Sequence, residues 1–279
     1  MKICVRLHDL GKSDALTLAK RTKEYNFDGV QLVINKAIEG ESGLPGTLTD
    51  EKLSEISLAF QNENIEVAML GAYFNPVHSD KNLVATNIEK FKEYLGFANR
   101  FNCKYVGSET GSFNDNKWTY NPLNRTEEAF QEVKRIFKDL ANHAEKCNSF
   151  VAIEGADGHC MYCPDQLYRL YKELDSKHVK IIVDIYNYLN EVNYSMEYQH
   201  KTLDRCIELF KDEIVLFHLK DFIVVDGKLK QVGLGEGIMD LENLVLKMQK
   251  FCPNAYLIFE GVPFDKMKSS LQFIKNIIK

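Results

Sequence analysis

Apolar and polar positions along the chain switch between two periods. Eight short runs, apolar nearly throughout and rich in β-branched residues, begin at Ile3 (ICVRL), Gly29 (GVQLVI), Glu66 (EVAML), Tyr105 (YVGSE), Val151 (VAIEG), Ile181 (IIVDI), Val215 (VLFHL) and Leu257 (LIFEG). Successive starts lie 26 to 46 residues apart, which leaves room for a crossover helix and a loop each time. Near-continuous hydrophobicity within a run is the pattern of a parallel strand covered on both faces. Between the runs the apolar period becomes helical. Val84, Ile88, Phe91, Leu95 and Ala98 make one stripe, and Val133, Ile136, Phe137, Leu140 and Ala144 make another. Helix starts are expected at Thr49, at Asn124 three residues before Glu127, and at Asp265, which opens a last helix facing inward through Met267, Leu271, Ile274 and Ile278.

Eight strand-then-helix units with no Pro/Gly/Ser linker predict an α/β fold, a single (β/α)8 TIM barrel over residues 1–279. A doubly wound open sheet would need fewer strands or a second domain. After the seventh strand, FIVVDGKLKQVG alternates apolar and polar positions around Asp226-Gly227, which predicts a small β-hairpin insertion on the face where barrels keep their active sites.

Composition narrows the class. The chain is 45% hydrophobic and carries 35 Lys+Arg against 40 Asp+Glu, a formal charge of −5. That balance gives no electrostatic reason to approach nucleic acid. No run of 18 apolar residues exists, so no membrane partner is expected. The N-terminal apolar stretch is broken by Arg6, His8 and Asp9 before a signal peptide could form, and a cytoplasmic protein is expected. The seven cysteines are read as free thiols, since Cys160-x-x-Cys163 has no second pair at metal spacing and Pro164 suits the first turn of a helix. A homo-oligomer is left open.

The chemistry is concentrated in the last four strands. Val-Ala-Ile precedes Glu154, Ile-Ile-Val precedes Asp184, Val-Leu-Phe precedes His218, and Leu-Ile-Phe precedes Glu260. Strand ends converge on one mouth in a barrel, so these four groups crowd together. Three carboxylates that close repel one another unless a cation lies among them. Carboxylate oxygens with one imidazole suit one divalent metal ion, Mn²⁺ or Mg²⁺ first and Co²⁺ or Zn²⁺ next. The competing reading is an ion-pair cluster.

With VAIEGADGH, IIVDIYN, VLFHLKD, VGLGEGIMDL and LIFEGV in that order, the second half of the chain resembles the xylose isomerase-like TIM barrel superfamily, in particular its sugar phosphate isomerase/epimerase group. ICVRLHDL, NFDGVQLV and MLGAYFNP match more loosely. The resemblance implies that Glu154, Asp184, His218 and Glu260 bind one divalent metal, and that Glu154 and Glu260 flank the reacting carbon of a small carbohydrate as acid and base. Such an isomerase or epimerase removes a proton beside a carbonyl, passes through an enediolate and returns a proton, with the metal stabilising the developing charge. His218 then needs an acceptor for its second ring nitrogen.

Candidate substrate contacts are Lys220, two residues past His218; Asn187, three past Asp184; His8, on the first strand's face with Arg6; Glu109, at the end of the fourth strand; and Trp118. His78 and the aromatic residues Tyr73, Phe74 and Phe113 are further candidates for the mouth. Gly233-Leu-Gly235-Glu-Gly237 reads as a turn or as a phosphate cradle. Two positions depart from the family pattern: Asn187 stands where ketose epimerases commonly carry His, and no Arg follows His218 at the usual place. Gln31 stands where related chains often have Glu. Alternatives are a metal-dependent lyase of the inosose dehydratase type, an apurinic endonuclease-like phosphodiesterase and a non-catalytic sugar-binding barrel. The endonuclease chemistry would need further His ligands where the chain reads LGAYF and GSETG.

Overall fold

The computed structural model describes residues 1–278. Among the described residues ten strands form: β1 (Ile3–Arg6), β2 (Gly29–Leu32), β3 (Glu66–Gly71), β4 (Tyr105–Glu109), β5 (Phe150–Glu154), β6 (Val179–Asp184), β7 (Ile214–Leu219), β8 (Asp221–Val225), β9 (Lys228–Val232) and β10 (Tyr256–Phe259). Eight of them close into a parallel barrel in the order β1-β10-β7-β6-β5-β4-β3-β2, with α-helices between successive strands. This is the (β/α)8 architecture that the eight runs predict. β8 and β9 form the predicted hairpin. Val225 pairs with Lys228, and the two turn residues Asp226 (φ 50°) and Gly227 (φ 76°) are both left-handed, as a two-residue type I′ turn requires.

The larger apolar layer lies between the barrel and its helices. Val133, Ile136, Phe137, Leu140 and Ala144 of the helix Glu127–Cys147 are buried there. A smaller cluster fills the barrel itself: Cys4, Met69, Ala152, Ile182, Leu216 and Ile258 among others. Gly107 completes that floor, because a Cβ on it would collide with Met69 and Ile182. Side chains alternate across a strand, so the residue two positions on faces the same interior one layer higher. Two residues after Ala152, Ile182, Leu216 and Ile258 come Glu154, Asp184, His218 and Glu260. The same step leads from Cys4 to Arg6, from Gly29 to Gln31 and from Gly107 to Glu109. An apolar floor therefore carries a polar ring.

Two helix starts differ from expectation. Thr49 accepts a hydrogen bond from Lys52 N as predicted, but the start expected at Asn124 is capped by Thr126, which accepts from Ala129 N. Asn124 lies in the 3-10 turn Pro122–Arg125, and its side chain instead accepts from Phe113 N (2.9 Å) and donates to Gly158 O (2.8 Å). A buried amide that bridges two loops is worth more there than at a solvent-facing cap. Asp265 likewise falls in a 3-10 turn, Phe264–Lys266, just before the helix Met267–Ile277.

Candidate active site

The centre of the polar ring is the buried imidazole of His218. Its Nε2 donates to Gln31 Oε1 at 2.7 Å, and the Gln31 amide nitrogen donates to Tyr73 OH at 2.8 Å. Gln31 is the acceptor the sequence did not identify, and it directs the other ring nitrogen, Nδ1, to the carboxylates. Nδ1 lies 3.2 Å from Glu154 Oε1, 3.2 Å from Glu260 Oε2 and 3.9 Å from Asp184 Oδ2.

Lys220 supplies the nearest fixed positive charge. Its buried ammonium pairs with Asp184 Oδ2 (2.7 Å) and Glu260 Oε1 (2.9 Å) and donates to Asn187 Oδ1 (3.0 Å). Asn187 in turn donates from its amide to Glu154 Oε1 (2.7 Å) and from its backbone to Asp184 Oδ1 (3.2 Å). On the far side Arg6 pairs with Glu260 Oε1 at 2.9 Å and forks onto Asp9, whose other oxygen accepts from Gly261 N. Arg6 thus clamps the loop that carries Glu260.

These neighbours set the charge states. Burial would raise the Glu260 carboxyl, but His218, Lys220 and Arg6 outweigh it and hold the group well below the usual carboxylate range. Burial pushes Asp184 up, with Lys220 opposing. It would push the Lys220 ammonium down, but Asp184, Glu260 and Glu154 reverse that and keep it charged. Glu109 is raised, by burial first and then by the charges of Glu154 and Glu260.

The arrangement fits a divalent cation. Ligand atoms of Glu154, Asp184 and His218 all lie within 4.8 Å of one another, and all three residues are buried. Burial would lower His218, but Glu260, Glu154 and Asp184 raise it to about 9, so without an ion Nδ1 carries a proton, and a divalent cation would take that proton's place among the carboxylates. Asp184 Oδ2, although close to Lys220, receives no well-aligned hydrogen bond. Glu260 stands outside the tightest set, drawn toward Arg6 and Lys220.

Two cavities open beside the cluster. An inner chamber of about 160 Å³ is lined by Arg6, His8, Gln31, Tyr73 and Glu260. An outer groove of about 1030 Å³ runs past Asn187, Tyr186 and the hairpin. Glu109 and Trp118 line both. His8 faces the chamber from a 3-10 turn, Leu7–Leu10, because β1 ends at Arg6 rather than continuing as a strand. Its imidazole is lowered to about 4, by burial and then by Arg6 and Lys36, so it stays neutral. Trp118 packs against His159 with ring centroids 5.1 Å apart.

Other candidates lie elsewhere. Phe74 is buried against Phe91, Phe113 packs on the core, and His78 accepts from Asp80 N in the loop after β3. The glycine-rich stretch after the hairpin is a turn, since Gly235 N and Gly237 N both donate to Asp221 Oδ2 at 2.9 Å and Met239 N donates to Oδ1. Those amides are spent on a side chain of the protein, not held open for a phosphate. Among the described residues no helix is long and apolar enough to cross a membrane.

Over residues 19–277 the sequence matches the family described as xylose isomerase-like TIM barrel. No curated protein matches it in sequence. Solved structures do match in shape. A D-tagatose 3-epimerase-like protein superposes with a TM-score of 0.76 at 17% identity, covering 100% of this chain and 97% of its own. A xylose isomerase-like TIM barrel protein from Mycobacterium smegmatis in complex with magnesium gives 0.75 at 12% identity, with 100% and 98% covered. The apo 3-keto-D-glucoside 4-epimerase from E. coli gives 0.72 at 17% identity, with 99% of each chain covered. At these identities the likeness is one of fold.

Proposed function

The chain belongs to the xylose isomerase-like TIM barrel family, and from that premise we propose that it is a divalent-metal-dependent sugar isomerase or epimerase that abstracts a proton beside a carbonyl and works through an enediolate. The observation that carries this reading is the aim of His218, with Nε2 spent on Gln31 and Nδ1 turned toward Glu154, Asp184 and Glu260. Glu154, Asp184 and His218 would hold the ion, with Glu260 as the fourth ligand. The oxygen-rich set favours Mn²⁺ or Mg²⁺.

When bound, such an ion supplies a Lewis acid for the carbonyl oxygen and for the charge that develops on it. The chain's own residues move the proton. Glu260, kept ionised by Lys220 and Arg6, takes the proton from carbon. Glu154, oriented by the Asn187 amide, returns one from the other carboxylate position. Return to the opposite face of the same carbon gives an epimer, and return to the neighbouring carbon gives an isomer. Lys220 offers its ammonium to a substrate oxygen, and His8, Asn187, Glu109 and Trp118 line the space around the sugar.

Chelated and re-metallated protein is expected to take up about one equivalent of Mn²⁺ or Mg²⁺ by calorimetry. Glu154→Gln should abolish exchange of solvent deuterium into a ketose or aldose panel followed by proton NMR. Absence of metal binding by the folded wild-type protein would sink the reading. A dehydratase is the second reading, favoured by Lys220, because a buried ammonium beside the carboxylates can donate a hydrogen bond to a departing β-hydroxyl. Loss of water after wash-in, seen in the same spectra, distinguishes it.

A further inference from the structure

Seven of the eight barrel strands contribute a polar side chain to the ring above the floor, and β3 does not. The two-residue step from Met69 leads to Gly71, which has no side chain to offer. That place is filled from the loop above. A Cβ on Gly71 would lie 2.8 Å from Tyr73 Cε2 and 2.6 Å from Val33 Cγ2, so the bare glycine makes the room in which the Tyr73 ring rests. β3 stands across the closed barrel from β7, the strand of His218, and Tyr73 lines the inner chamber with Arg6, Gln31 and Glu260. One side of its hydroxyl is already committed. His218 Nε2–H meets the oxygen of the Gln31 amide, so the nitrogen of that amide points at the phenol, and Tyr73 OH accepts from it at 2.8 Å. The phenol's own O–H has no acceptor among the described residues. Burial, and then the charges of Glu154, Glu260 and Glu109, push the group up, so the proton stays on the oxygen. From His218 through Gln31 to Tyr73 the dipoles run head to tail, each polarising the next, and end on an unused donor in the chamber.

We propose that Tyr73 is a further catalytic residue of this site, whose O–H donates a hydrogen bond to the enediolate oxygen facing the β2–β3 side of the chamber. This rests on the reading of the site as one that enolises a sugar. As Glu260 takes the proton from carbon, the electron pair of the broken C–H bond becomes the C=C bond of the enediolate, and negative charge gathers on oxygen. A donor already in place there stabilises that charge with no reorganisation of water. The phenol itself forms and breaks no covalent bond and keeps its proton throughout. Other donors on this wall are engaged: Arg6 by Asp9 and Glu260, and the Gln31 amide by Tyr73 itself.

Tyr73→Phe keeps the ring over Gly71 and removes only the hydroxyl. The full-length protein, loaded with Mg²⁺, is compared with this variant in two ways: calorimetric binding of glycolohydroxamate, a small planar anion with the paired oxygens of an enediolate, and deuterium wash-in over the ketose and aldose panel. The variant should bind glycolohydroxamate about tenfold more weakly and exchange about 100-fold or more slowly, with KM and Mg²⁺ affinity within about threefold of wild type. A phenol that served only to hold Gln31 would loosen His218 and lower Mg²⁺ affinity along with the exchange. That pattern overturns the inference, as does hydroxamate binding or exchange in the variant within about threefold of wild type, or a wild type that exchanges but does not bind the hydroxamate. A wild type that takes up Mg²⁺ but neither exchanges nor binds the hydroxamate removes the enolising reading together with this inference. Exchange that survives Tyr73→Phe removes this inference alone.

Discussion

Gln31→Leu is the sharpest test of how the site is built. The change keeps the approximate volume of the side chain and deletes both polar ends. His218 Nε2–H loses its acceptor at 2.7 Å, and Tyr73 OH loses its donor at 2.8 Å. Tyr73 borders the inner chamber and can turn to water, but His218 is 3% exposed and cannot. Leaving one such buried donor unmade costs about 1–3 kcal/mol, so urea unfolding of the metal-free protein should register a loss of that size. The same deletion frees the imidazole to rotate and to change tautomer. Removing a ligand's orienting partner typically lowers metal affinity about 10- to 100-fold, or about 1.4–2.7 kcal/mol. Mn²⁺ titration by calorimetry reads this, and Gln31→Glu, which restores an acceptor and adds a charge, should bind at least as tightly as the wild type. If folded Gln31→Leu binds Mn²⁺ within about threefold of wild type, orientation by Gln31 is not what prepares His218.

His159 is lowered to about 3, by burial first and then by Lys220 and Arg125, against an ordinary value of 6.5. It stays neutral in the fold while the unfolded chain takes up the proton. Its contribution is therefore complete above pH 6.5 and falls as pH drops toward 3, by up to about 4–5 kcal/mol. His159→Gln should flatten that part of the stability-versus-pH curve in urea melts, and an unchanged curve would count against the burial argument. Asp221 accepts from four backbone amides, those of Phe222, Gly235, Gly237 and Met239. Asp221→Leu should therefore cost about 3 kcal/mol or more and raise amide exchange across 233–239, and full protection there would refute the assignment. Glu154→Gln should retain the barrel by circular dichroism while losing deuterium exchange, which separates a chemical role from a structural one.

The chain's one-dimensional pattern determined the architecture and four of the seven positions of the polar ring. Period-2 and period-3.6 hydrophobicity report burial directly, and a barrel must bury both strand faces, so the eight runs and the Asp226-Gly227 turn were legible. Glu154, Asp184, His218 and Glu260 were legible for the same reason, since each ends an apolar triplet at one depth. Of their partners, Lys220 and Asn187 were legible only as candidate substrate contacts, and the others were not. Gln31 meets His218 across 187 residues of chain, and Arg6 meets Glu260 only because β1 pairs with β10 when the barrel closes. The clue available was the same two-residue step from Cys4 and Gly29 that leads from Ala152 to Glu154. Local signals failed where a side chain had a better long-range use: Asn124 bridges two loops in place of capping a helix, and Asp221 consumes the amides that a glycine-rich stretch offers to phosphate. Burial periodicity is a property of each segment alone. Which nitrogen of His218 faces the carboxylates, and how a small chamber joins a large groove, depend on groups brought together only by closure of the barrel.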